Sequence, residues 1–306
     1  MSTQLRNNLP DFFTGDKLPA LEQIVTAYKE SHPSLIPLIF NQEAMTSDIY
    51  QTTTMSGLRN PKAKPEGQSV EFQDMKPGYK KTFTYTTYAN AYRISREMVQ
   101  DGKFSMIQKA TESFGKGFAE IWELKAASIF DNGFTTNGYD GVPLFSTSHP
   151  LENGDGLTGA NRPSAASELS KTSFREMRNI MQNMVNENGQ KVRYGLDYLL
   201  VPQALQDIAL ELMGSSYDPD NGNNTINTVY NRCKLVPGDY WPYLSSDTAW
   251  FMLSPKNQHH LLFLNRTPFR TDSDYDKKAF AYEIIADEAR AWGAAGWRGV
   301  CGNSGA

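Results

Sequence analysis

The chain has 306 residues, 39 % of them hydrophobic and 12 % aromatic, enough for one elaborated domain or two compact units with large buried or interfacial surfaces. Thirty basic residues against 34 acidic ones leave a net charge of −4, with no signature of tight, sequence-independent nucleic-acid binding, although a surface that merely faces nucleic acid could carry such a balance. Cys233 and Cys301 are too few for a disulfide framework or a cysteine-built zinc site, no apolar leader follows Met1, and no apolar run nears the roughly 20 residues of a membrane span, so a chain made and kept in a cytosol is expected.

Residues 1–15 are polar and irregular. Asp16, with Pro19 in the first turn, opens a helix carrying Leu21, Ile24, Val25 and Tyr28 on one face. Pro33 and Pro37 break it and hold the apolar run Leu35–Phe40 extended. Such a run is either a strand on its own core or an arm packed on a neighbouring subunit; as an arm it could be removed with residues 1–40 and leave the rest folded. Residues 46–67 are rich in Thr, Lys, Pro and Gly. An extended stretch from Gln68 to Met75, with Val70 and Phe72 alternating, passes through Lys76-Pro77-Gly78-Tyr79, which suits a type II turn, and returns as a strand over Lys80–Ser95. The apolar phase of that strand changes between Tyr85 and Tyr88, which predicts a bulge or twist near Thr86-Thr87. A ribbon this long is marginal alone in water and needs a larger sheet or a neighbouring molecule. Lys62, Lys64, Lys76, Lys80 and Lys81 make it basic, which either solubilises an edge or offers salt bridges to an acidic neighbour.

Phe104–Phe130 reads as the main helix, with Phe104, Ile107, Phe114, Phe118, Ile121, Trp122 and Ile129 at helical spacing and Asp131-Asn132-Gly133 ending it. Gly115 and Gly117 inside it suggest a bend or a close backbone contact. Residues 151–170 are loop-like. A second helix follows, with Ser173 and Glu176 as a capping box, Phe174, Met177, Ile180, Met181, Met184 and Val185 as its stripe, and Asn188-Gly189 closing it. Asp197–Val201 is a buried strand, and Pro202 starts a third helix with Leu205, Ile208, Ala209 and Leu212 inward, stopped at Gly214. A long polar loop, 215–228, follows. Thr248–Ser254, His260–Asn265, Phe280–Ala286 and Ala291–Val300 read as strands. No internal repeat is present, and the element order is α+β.

Chemistry-bearing motifs are scarce. Ser148 and His149 are sequence neighbours with no Gly-x-Ser-x-Gly elbow, and His149 reads as a structural imidazole satisfying a loop carbonyl. Neither a phosphate loop nor a strand-borne Gly-x-Gly-x-x-Gly exists. Adjacent His259 and His260 would point to opposite faces of a strand, a poor geometry for one metal ion. Asp272, Asp274 and Asp276 lack the Gly and Glu of a calcium loop and read as solvated charges. No catalytic, cofactor-binding or metal-ligating residue can be named, and no cofactor is expected.

Gly141-Val142-Pro143-Leu144-Phe145-Ser146, closed by His149-Pro150, follows the long helix; Leu199-Leu200-Val201-Pro202, Thr248-Ala249-Trp250-Phe251-Met252-Leu253 and Gly296-Trp297-Arg298-Gly299 come later in the same order. With the proline-bearing arm and the basic hairpin, this ordered set resembles, along nearly the whole chain, tailed-phage major capsid proteins of the Mu-like major head subunit type. The resemblance implies the α+β Hong Kong phage capsid fold. It divides the chain into an N-terminal arm (1–45), an extended loop (E-loop) hairpin (46–95), a peripheral domain (96–202) with a spine helix at 104–130, an axial domain (203–278) and return strands (279–306). It also implies self-assembly, through hexamers and pentamers, into the icosahedral head shell enclosing phage double-stranded DNA. Portal, scaffold and cement proteins would be further partners, with neither membrane nor enzymatic activity. The location would be the virion capsid, assembled in the host cytoplasm. Some relatives carry a long cleaved scaffolding segment, for which the arm here leaves no room, and some form a Lys–Asn cross-link, for which the sequence names no residues. The rivals are an encapsulin-like cellular compartment shell and, further off, an α+β enzyme with no identifiable site.

Overall fold

The computed structural model describes residues 18–305 except 56, 59, 71, 75–76, 153–155 and 218–225. The irregular stretch expected at 1–15, the Leu21 side chain and most of the 215–228 loop fall outside the described residues. Helix α1, Leu18–Glu30, starts where Pro19 presets φ in its first turn, and it buries Ile24 and Val25. The extended conformation expected over Leu35–Phe40 gives way to one helical turn, α2 (Ile36–Ile39), because Pro37 stands in its first positions, where a missing N–H costs nothing. Ile36, Ile39 and Phe40 are buried, with Phe40 edge-on to Phe130 at 6.2 Å. Of the two readings of this run, it is the chain's own core that it covers.

Strands β1 (Asn41–Ala44), β2 (Ile49–Met55), β3 (Pro77–Thr84) and β4 (Thr86–Ser95) follow. The hairpin pairs differently from the expectation. Its outgoing strand is Ile49–Met55, not Gln68–Met75, and Thr52 lies opposite Lys81. Three consecutive β-branched threonines, Thr52 to Thr54, favour the pleated ribbon, whereas the described residues of 68–74 belong to no strand. Pro77 accordingly opens a strand, a position that tolerates its missing N–H, instead of making a turn. The expected irregularity is real: the long strand breaks at Tyr85, so that β3 pairs with β2 and β4 pairs elsewhere.

A short helix α3 (Arg96–Gln100), capped by Ser95 accepting from the Met98 N–H, leads to α4, Phe104–Asp131. At 28 residues α4 is about 40 Å long, and its buried stripe includes Ile107, Phe114, Phe118, Trp122 and Phe130. Gly115 is where α1 crosses it: a Cβ there would stand 2.7 Å from the Val25 carbonyl oxygen, so only glycine permits the approach. Gly117 meets nothing.

Two-residue strands β5 (His149–Pro150) and β6 (Thr158–Gly159) pair across the next loop. Helix α5 spans Lys171–Gln182, and its cap is Ser170, three residues before the expected start. Ser173 sits at the third helical position and returns the bond that Glu usually supplies. Met184, beyond the helix end, is still buried, and the Asn188-Gly189 turn follows four residues later. After β7 (Tyr198–Leu200), a tight 3-10 turn at Gln203–Leu205 shifts the phase of α6 (Gln206–Gly214). Leu205 and Ala209 face inward as expected and Leu212 is half-buried, but Met213 takes the inward place expected for Ile208, which is exposed.

The remaining strands are β8 (Lys234–Leu235), β9 (Trp250–Leu253), β10 (Leu261–Asp276), β11 (Ala281–Ala294) and β12 (Val300–Asn303). Strand β10 is buried on both faces at Leu261–Leu264, then alternates as it leaves the core, carrying the acidic trio outward. The strand expected at 280–286 and the start of the one expected at 291–300 are one, β11, whose charged middle, Asp287 to Arg290, stays inside the sheet; residues 295–299 turn instead, and Val300 opens β12. One sheet has the order β1-β10-β11-β4, with β1 parallel to β10; the other is β12-β9-β7-β8. The expected division at residue 278 falls in the turn between β10 and β11, which pair from Leu261↔Ala294 to Asp276↔Ala281.

Glu288 explains the charged middle of β11. Fully buried, it accepts from Lys29 Nζ at 2.7 Å and from Trp122 Nε1 at 2.7 Å, and it also pairs with Arg290. Burial holds the Lys29 ammonium below its ordinary pKa. One carboxylate thus ties α1, α4 and the sheet together.

Candidate functional site

The Gly141–Pro150 segment folds around two wedges. Phe145 enters an aromatic cluster with Phe134 at 5.0 Å and Phe251 at 5.2 Å, and a Cβ at Gly133 or Gly302 would press into its ring. His149 is fully buried and stacks on Trp297, ring centroids 4.4 Å apart and planes 4° apart. Its Nδ1 lies 2.6 Å from Asp140 Oδ2 and its Nε2 3.1 Å from Asn161 Oδ1. The Asn161 amide is oriented by its own bonds: Nδ2 donates to the Leu144 and Trp297 carbonyls at 2.7 and 3.2 Å, and Oδ1 accepts from the Ser146 N–H at 2.9 Å.

Both ring nitrogens of His149 are therefore engaged with acceptors, and neither is aimed at a hydroxyl that it could activate. The carbonyl partner expected for this imidazole is replaced by a carboxylate and an amide. What the cluster does is fasten the segment after α4 to the Gly296–Gly299 turn, two of the quoted sequence phrases. Asp140 and Asn161 had no sequence signal of their own: each is an ordinary loop polar residue until the fold closes.

The other histidines are separate. His259 is buried, and desolvation lowers its pKa to about 4, while His260 beside it is exposed. His32 contacts the Tyr243 hydroxyl at 3.1 Å. Among the described residues no group of three or more His, Cys, Asp or Glu could hold a metal ion. Burial pushes the Cys233 thiol up to about 12 and that of Cys301 higher still, so neither is a ready nucleophile. Among the described residues no helix is long and apolar enough to cross a membrane.

The unusual surface is the hairpin. Its base is well supported: Phe83 packs with Met45, Leu262 and Leu264 in a small core of its own. Its tip is not. Phe72 is 97 % exposed, Val70 65 % and Leu58 55 %, three large apolar side chains within one loop. Lys62 and Lys64 are exposed on the same loop and Lys80 on β3; Lys81 is half-buried, and Lys76 lies outside the described residues.

A family model described as phage capsid protein matches residues 79–303, most of the chain. The chain belongs to the phage capsid protein family. Solved phage structures share its fold: one of Microbacterium phage Oxtober96 has a TM-score of 0.57 at 9 % identity, covering 90 % of this chain and 92 % of that one. The capsid of the cyanophage P-SCSP1u gives 0.53 at 9 % identity, with 87 % and 86 % covered. The capsid of Myoviridae phage XM1 gives 0.51 at 10 % identity, with 90 % and 93 % covered. No curated protein matches. The fold is the α+β Hong Kong phage capsid fold, and the chain is a major capsid protein, a subunit of the shell of a virion. The phage family match favours that reading over a cellular compartment shell.

Proposed function

We propose that this capsid protein assembles through pentamers and hexamers in the host cytoplasm, around double-stranded DNA, and that the hairpin tip is the element each copy lays on its neighbour. The observation that carries this is the tip itself, whose Leu58, Val70 and Phe72 stay largely exposed among the described residues. Burying such side chains contributes roughly 1.5–3 kcal/mol each, and a neighbouring copy would supply the burial. Portal, scaffold and cement proteins would complete the head.

For the domain division, the proposed arm is 1–45 and the extended loop 46–95. The pairing of β10 with β11 along its length supports assigning β10 to the peripheral domain with the return strands, which leaves the axial domain from 203 to about the start of β10. The test is a Val70→Ser, Phe72→Ser double variant. The subunit should keep its unfolding midpoint, since both side chains lie outside the core, and should lose particle formation in electron micrographs. Normal particles from this variant would mean that the tip does not tie subunits together.

A further inference from the structure

Glu152, just after β5, grips the hairpin from the body of its own subunit. Its Oε1 accepts from the Tyr79 backbone N–H at 2.6 Å and from Thr54 Oγ1 at 2.5 Å. Both donors stand at the far end of the β2–β3 ribbon, next to the tip and away from the Phe83 base. Gly78 leaves the space, for a Cβ there would overlap the Glu152 carboxylate. Two further contacts fall at the same end: Asn188 Nδ2 donates to the Gly57 carbonyl, and Tyr79 packs edge-on to Tyr139 with centroids 5.6 Å apart.

The grip is not a strong stabilising contact. Among the described residues no cation pairs with Glu152 and its buried Oε2 has no hydrogen-bond partner, which offsets much of what the two bonds contribute. Its geometry is more telling than its strength. A two-stranded ribbon fixed only at its base would swing, and a tip that swings must be ordered again whenever it docks.

We infer that Glu152 is a positioning residue for the hairpin, a carboxylate latch that fixes the direction in which the tip is presented to a neighbouring copy; this rests on the reading that the tip docks on a second copy. Gly78→Ala tests it as directly as Glu152→Ala does. The φ of Gly78 is not in the left-handed region, so alanine fits the backbone and displaces only the mobile end of Glu152.

The experiment compares wild type, Glu152→Ala, Gly78→Ala and Glu152→Gln, by amide hydrogen exchange of unassembled subunits and by assembly rate in light scattering. In both alanine variants the amides of Tyr79 and its hairpin neighbours should exchange at least about tenfold faster, with those of Trp250–Leu253 unchanged, and assembly should slow. Glutamine keeps an acceptor oxygen for both donors and should restore both readouts, which a merely charged surface group would not do. Unchanged hairpin exchange, failure of glutamine to restore it, or freed hairpins that assemble at or above the wild-type rate each overturn the inference. A wild type that forms no particles removes the docking reading and the inference with it; a wild type that assembles while Glu152→Ala keeps pace removes the inference alone.

Discussion

Glu288 is itself closed to water, with the indole N–H of Trp122 donating to it and two partly buried cations around it. Removing one partner of such a group is costly because the others are left buried and unpaired. Glu288→Ala should destabilise the subunit by about 3–5 kcal/mol in denaturant unfolding, and a loss under about 1 kcal/mol would show that Lys29 and Arg290 do not depend on it. His259 makes a different kind of claim. Its pKa falls from the usual 6.5 to about 4 in the folded chain, so the unfolded chain takes up the proton first. The contribution is whole above about pH 6.5, declines as pH falls toward about 4, and is flat below; the full loss is about 3 kcal/mol. Stability measured from pH 7.5 down to pH 4.5 should therefore fall more steeply in wild type than in His259→Gln, and parallel curves would contradict the assignment.

At the scale of elements, the segment before β1 behaves as part of the subunit. Deleting residues 1–40 would take away Ile24, Val25, Ile36, Ile39 and Phe40, all buried, so the truncated chain should lose cooperative unfolding. If this deletion melts cooperatively at the wild-type midpoint, the arm does not contribute to the core of its own subunit. Helix α4 was legible in the sequence because a 3.6-residue apolar period over 28 residues has no competing explanation. The hairpin partner was not, because Val70 and Phe72 display strand alternation yet remain exposed, while the true strand, Ile49–Met55, is mostly Thr and polar. Asp287–Arg290 read as a break for a similar reason: burial of Glu288 depends on Lys29, 259 residues away, which no local pattern reveals. The His149 cluster is a like case, since Asp140 and Asn161 acquire their role only through contact with it.

At the scale of the molecule, the family match and the shared fold make this chain a shell subunit, and its surface agrees with that role. The subunit is closed where it carries its core and open where it carries Leu58, Val70 and Phe72. A net charge of −4 agrees with the proposed enclosure of DNA without tight binding to it. The most direct measurement is electron microscopy of the purified chain, with sedimentation velocity across protein concentration and salt. The account predicts closed particles, or the pentamers and hexamers from which they form; a species that stays strictly monomeric under all conditions would contradict it.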